Sequence, residues 1–454
     1  MQSNPIQQRI ELICEKWEEA KKYTAARIVL MRCQPDETDM VDTFYTYMIG
    51  VDTPILDIAF HFDSVCNDQK EFSNSLLLEL EEIMDIWNNS EKDSRIDYVP
   101  IHWQPDRTLE KDKNPAAMFV HNFNALAKEM ALPEELFTVA IFKASSSGKD
   151  IIPWLKAATE ASISPAVKFL IHDTVAKPFY DDLVLASGPA LTTIPLNLNM
   201  PKAMEQVAAM GDPNDPATGY RVAFMKMMNE MSAGNENKAE ESGHECIKIA
   251  TQHIGKDPYW ITQVIVIYIA LANDKIRYKN KEATLDYANK AVETATASKA
   301  YFEDNISSQL FAQAIMFRGS VLFIHEKSRE AYTDFSAAFE LYSSQGNTPL
   351  AIEACRMAGE SAIKSGQKEN ASKLLTAGTR LGYKMNAETA AATTYAGILD
   401  LLLQTNYTDF ISLDELDKIA RPIYGPDWIT TVKDWKKIPD YSSLKKKEME
   451  AAEN

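Results

Sequence analysis

The sequence predicts two architectures in one chain: a three-layer α/β domain with a mostly parallel sheet in its N-terminal half, then an all-α superhelix of repeated hairpins. Two observations predict it. Short apolar, β-branched runs alternate with longer helical stretches as far as residue 200, and beyond them Gly319, Ala331, Phe335 and Ala338 are answered forty positions on by Gly359, Ala371, Leu375 and Gly378. Near-continuous apolar strands separated by helices imply a parallel sheet covered on both faces. Self-similarity at a period of about 20 to 50 residues implies a solenoid whose units bury apolar surface only against their neighbours.

The elements follow in order. Ile10, Ile13, Trp17 and Ala20 stand at helical spacing and predict an amphipathic lead-in helix within residues 1–23. From 24 to 205 the expected strands are Arg27 to Met31, Ile55 to Phe62, Phe137 to Phe142, Val167 to Ile171 and Leu191 to Leu196. The expected helices are Met40 to Ile49, Ser73 to Trp87, Pro115 to Met130 and Ile151 to Ser162. Two prolines, two glycines and two aspartates in Met210 to Gly219 cannot continue a helix and mark the boundary. Four or five helical hairpins are expected over 206–405, with Ile261 to Ala272 as a buried repeat helix. Residues 406–454 read as a capping segment, begun by a helix start at Ser412 and carrying two tryptophans, and a charged tail.

Composition bounds the function. With 45% hydrophobic and 25% charged residues the chain is an ordinary globular protein, and a net charge of −18 repels phosphate backbones and anionic lipid headgroups. Nucleic acid and membrane are therefore not the expected partners. Five scattered cysteines, none in a C-x-x-C pair, argue against a disulfide framework or zinc site. With no signal peptide in view and no apolar run of about 20 residues, a cytoplasmic protein is expected.

In a parallel sheet the functional crevice lies outside the C-terminal strand ends. After the first strand comes RCQPDETDMVDTF, where phosphate binding would need G-x-x-x-x-G-K-[ST]. This loop has no glycine and no lysine, and it carries Asp36, Glu37, Asp39 and Asp42. Only Lys143 to Asp150, KASSSGKD, keeps a Gly148-Lys149 pair between a strand and a helix. Gly148 and Lys149 are the candidate anion or cofactor site, against a plain serine-rich loop with Asp150 as helix cap. Asp63 and Asp173, at strand ends, could serve catalysis or a metal but read as caps or turn residues. His61, His102, His121 and His172 lack ligand spacing, so no metal, catalytic residue or cofactor is assigned.

By strand order and domain arrangement this half resembles the P-loop NTPase module of AAA and STAND-type families, with the nucleotide loop lost. The resemblance implies a pseudo-NTPase; another three-layer fold without nucleotide ancestry remains the alternative. The forty-residue pair resembles the tetratricopeptide repeat, with Gly319, Ala331, Phe335, Ala338 and then Gly359, Gly366, Ala371, Leu375, Gly378 in its places. Weaker second helices are expected at Ala239, Gly243, Cys246 and at Ala283, Tyr287, Ala291. That resemblance implies a protein-binding groove lined by first helices. Its candidate residues are Gln263, Tyr268, Gln313, Arg318, Glu353 and Arg356, each of which could instead be a solvated helix position.

The expected function is a non-enzymatic adaptor or scaffold subunit, more pseudo-NTPase than enzyme, that binds protein partners through the groove and could be a homo- or hetero-oligomer. The alternatives are a regulatory NTPase using Gly148, Lys149, Asp63 and Asp173, and a small-ligand sensor.

Overall fold

A computed structural model describes residues 4–50, 53–89, 100–142, 150–433 and 435. It divides into two compact units, Met1–Val207 and Ala208–Asn454.

In the first unit the chain runs α1 (Pro5–Lys21), β1 (Ile28–Cys33), α2 (Thr38–Met48), β2 (Ile58–Phe62), α3 (Gln69–Asn89), α4 (Ala117–Met130), β3 (Thr138–Phe142) and α5 (Ile151–Glu160). It continues through β4 (Val167–Thr174), α6 (Asp181–Ser187), β5 (Leu191–Pro195) and α7 (Met200–Ala208). The five strands form one parallel sheet in the order β2-β3-β4-β1-β5. Alternation within each strand divides the core between the two faces. Ile28, Leu30, Phe60, Phe62, Phe142, Phe169 and Ile171 meet Leu76, Phe119, Trp154 and Leu183 of α3 to α6. Val29, Met31, Val139, Ile141 and Leu170 meet Trp17 of α1 and Phe44 of α2 on the other face. The unit is the expected three-layer α/β domain.

Three differences from the expectation have local causes. β2 begins three residues late, because buried Asp57 accepts from Trp17 Nε1 (2.7 Å), Lys21 Nζ (3.1 Å) and Phe137 N (2.8 Å), tying α1 to the sheet instead of pairing as strand. β4 runs on to Thr174, so Asp173 belongs to the strand and pairs in register with Arg32. Asp150 stands at the N-cap of α5, but its side chain makes no capping bond.

The second unit begins with four hairpins: α8 (Pro216–Ser232) with α9 (Glu236–His253), α10 (Trp260–Arg277) with α11 (Lys281–Ala297), α12 (Asp304–Ile324) with α13 (Ser328–Ser344), and α14 (Thr348–Lys364) with α15 (Lys368–Gly382). Among the described residues α16 (Ala387–Ala391), α17 (Tyr395–Leu403), α18 (Leu413–Tyr424) and α19 (Trp428–Lys433) follow. Ser412 accepts from Glu415 N at the start of α18, and Trp428 and Val432 are buried in one cluster with Leu375 and Ile398.

The small residues do what the repeat requires. A Cβ built on Gly319 would lie 2.8 Å from the Phe335 ring, and one on Gly359 would collide with Leu375. Between α9 and α10 the pairing is reversed: the small residue is Gly243 on the second helix, against Leu271. One position differs from expectation. In α11 Tyr287 and Ala291 are buried as expected, but Thr284 is fully buried where Ala283 was expected, and Ala283 is only half-buried. The same three-residue turn recurs along the unit, with Gly234, Lys279, Glu326, Gly346 and Gly366 in the left-handed conformation. The next amide reaches back five residues each time, as in Asn280 N to Lys275 O and Lys327 N to Leu322 O, satisfying carbonyls at the helix end.

Candidate functional site

Each unit carries a candidate functional surface. In the first it is the carboxyl edge of the sheet. The helix after β1, α2, packs on one face and the helix after its neighbour β4, α6, on the other, so the topological switch point lies between those strands. Arg32 and Asp173, each one residue before its strand's end, stand side by side there. Arg32 Nε donates to Asp173 Oδ1 at 3.1 Å, and Arg32 also pairs with Asp181 at the start of α6. Asp173 Oδ2 accepts from Phe179 N (3.0 Å) and Tyr180 N (3.1 Å).

Two other loops at this edge repeat the pattern. After β1, buried Glu37 accepts from Gln34 N (2.8 Å) and from Asn199 N (3.0 Å) ahead of α7. After β2, Asp63 N (2.8 Å) and Ser64 N (3.0 Å) donate to the carboxylate of Glu79 in α3. Pairs of backbone N–H groups are the usual cradle for phosphate. At three of the described strand ends such a pair holds the chain's own carboxylate. Of the four acids expected to repel an anion, Asp36, Asp39 and Asp42 are exposed, while Glu37 is turned inward as a brace. Gly148 and Lys149 lie outside the described residues.

Beneath this edge Tyr45 Oη and His172 Nδ1 are hydrogen-bonded at 2.9 Å. Burial pushes the imidazole below its ordinary pKa and the Tyr45 phenol well above its own, so the pair is neutral at pH 7. Burial raises the Cys33 thiol to about 11, which leaves it unreactive. Among the described residues no three His, Cys, Asp or Glu side chains are grouped to hold a metal ion, and no helix is long and apolar enough to cross a membrane.

In the second unit the surface is the face of the first helices. Cys355 and Gly359 of α14 meet α15, so Glu353 and Glu360 lie on the opposite flank. On α10 and α12 the corresponding flank carries Gln263 and Gln313. Half-buried Gln263 lines a shallow pocket of about 330 Å³ with Tyr220, Tyr259 and Trp260, and Gln313 is exposed. Two apolar side chains on the same helices are exposed: Val266, one turn on from Gln263, is 47% exposed, and Ile324, at the end of α12, 56%.

The six expected groove residues separate into three kinds. Gln263 and Gln313 face outward. Tyr268 and Arg318 are engaged with neighbouring helices: the Tyr268 ring lies 6.2 Å from that of Tyr287, and Arg318 makes a two-pronged pair with Asp334 of α13 (2.7 and 2.8 Å) while touching Asn289 of α11 (3.3 Å). Glu353 and Arg356 are brought together at 2.6 Å, with Glu360 on the other side of the guanidinium at 3.1 Å. Sequence reasoning missed Arg32 and Glu79. An arginine at a strand end is legible, but its carboxylate partners come from other elements and leave no spacing to read.

Compared with known proteins, the chain matches no family profile and no curated protein. Among solved structures, a Signal Transduction ATPase with Numerous Domains protein with a tetratricopeptide repeat sensor, from Pyrococcus horikoshii, aligns over 91% of this chain and 96% of its own, at 9% identity and a TM-score of 0.21. That protein joins the two kinds of part expected here, but at this TM-score the likeness carries no weight. The α/β sheet followed by a tetratricopeptide-like helical array stands on the molecule's own sheet and hairpins.

Proposed function

We propose that this protein is a non-enzymatic adaptor that binds a protein partner on the first-helix face of its helical array, with the α/β unit as a pseudo-NTPase scaffold. The observation that carries the reading is the exposure of Val266, one turn on from Gln263 in α10, and of Ile324, at the end of α12, both on first helices. Apolar side chains among polar ones on a repeat surface are the usual make-up of a protein-binding patch. The carboxylates at the sheet edge support the other half, because nucleotide phosphate would have to displace Asp173, Glu37 or Glu79 from amides they already hold.

The test compares the full chain with Val266→Glu/Ile324→Glu as bait in its native cell extract, after confirming equal melting temperatures. A partner retained by the wild type and lost by the variant is the expected result; identical partner sets would sink the reading. Calorimetric titration with ATP and GTP, with and without magnesium, addresses the scaffold. No binding heat and no hydrolysis are expected, whereas binding abolished by Lys149→Ala would establish a regulatory NTPase instead.

A further inference from the structure

One aromatic side chain already lies on the flank of α14. Trp435, two residues beyond the end of α19, is half-buried with its ring 5.5 Å from the guanidinium carbon of Arg356. Gly397 of α17 forms the opposing wall. A Cβ there would stand 3.1 Å from an indole carbon of Trp435 and 2.8 Å from Arg356 Cδ, so the cleft depends on a missing side chain. The guanidinium is fixed by Glu353 and Glu360, and Glu353 in turn accepts from Thr394 Oγ1 at 2.6 Å. A planar cation held this way presents its face to an aromatic ring with little freedom left to lose. Around Trp435 the sequence is Lys433-Asp434-Trp435-Lys436-Lys437, basic in a chain of net charge −18, and two glutamates frame the cleft.

We propose that the cleft between Arg356 and Gly397 is a docking site for a tryptophan in a lysine-flanked segment of a partner protein, and that the chain's own Trp435 occupies it until such a segment displaces it. This rests on the array being a protein-binding surface, and it names the feature recognised there. Arg356 is thereby a recognition residue, with Glu353 and Glu360 positioning it.

The experiment titrates full-length wild type and Trp435→Ala with a synthetic peptide spanning Thr430 to Asp440, and with the same peptide carrying alanine for its tryptophan. Removing the internal competitor should tighten binding of the tryptophan peptide roughly ten-fold or more, since apparent affinity scales with the fraction of open sites. The alanine peptide should not bind. Arg356→Lys in the Trp435→Ala background, which keeps the charge but loses the flat face, should weaken the peptide roughly ten-fold at an unchanged melting temperature. Equal affinity for wild type and Trp435→Ala, no binding to Trp435→Ala, or indifference to the peptide's tryptophan or to Arg356→Lys overturns the proposal. A cellular partner that depends on Val266 and Ile324 but ignores Trp435 and Arg356 would leave the adaptor reading standing and remove this site alone.

Discussion

Lys168 shows how much one buried charge can govern. Fully buried at the amino end of β4, it donates to the carbonyls of Tyr23 (3.2 Å) and Ala26 just beyond α1, and lies 4.9 Å from the centre of the Phe137 ring. Burial outweighs these contacts and, with Arg27 nearby, lowers its pKa to about 8 from 10.5. A lysine depressed in the folded state is protonated more readily in the unfolded chain. Between about pH 8 and 10.5 the unfolded state therefore binds more protons, and stability rises with pH across that window and is flat with respect to this group below it. The difference in unfolding free energy between wild type and Lys168→Met should grow from pH 8 to 10.5 by on the order of 3 kcal/mol at most. Denaturant titrations at several pH values measure it; a constant difference would mean that Lys168 ionises alike in both states. Nothing in KFLI distinguishes this lysine from a solvated one, because its carbonyl partners lie some 140 positions away.

At the scale of elements, the repeat is carried as much by its turns as by its helices. Five connections end a helix with the same left-handed residue; Gly234, Gly346 and Gly366 take it without strain, but Lys279 and Glu326 do not. A non-glycine residue there costs about 1 to 2 kcal/mol, partly offset by the greater freedom glycine has when unfolded. Lys279→Gly and Glu326→Gly should each stabilise the array by about 0.5 to 1 kcal/mol, read from the denaturation midpoint at unchanged slope. A loss of stability in either would show that the side chain contributes more than its backbone costs. The forty-residue pair was legible because Gly319 and Gly359 meet Phe335 and Leu375 within their own hairpins. The earlier units depart from that spacing, since Gly243 puts the small position on a second helix and Thr284 rather than Ala283 takes the buried place in α11, yet Ala239, Cys246, Tyr287 and Ala291 are buried where they were expected.

For the whole molecule, the apolar clusters of residues 1–207 and those of 208–454 share no member, so each unit has its own core. Calorimetry should resolve two unfolding transitions, and Trp17→Ala, which empties a buried site and removes one of the three donors to Asp57, should lower only one. A single transition shifted as a whole would mean that the units unfold together. Fold class was determined by the sequence alone, because burial on both faces of a sheet demands apolar runs and stacking of hairpins demands small residues at a fixed interval; both are local patterns. Which charges meet was decided only by the tertiary structure. Arg32 with Asp173 and Asp181, Glu79 with the amides after β2, and Arg356 with Trp435 are contacts between distant segments. Electrostatic pairing depends on distances in space that a linear order of residues does not contain.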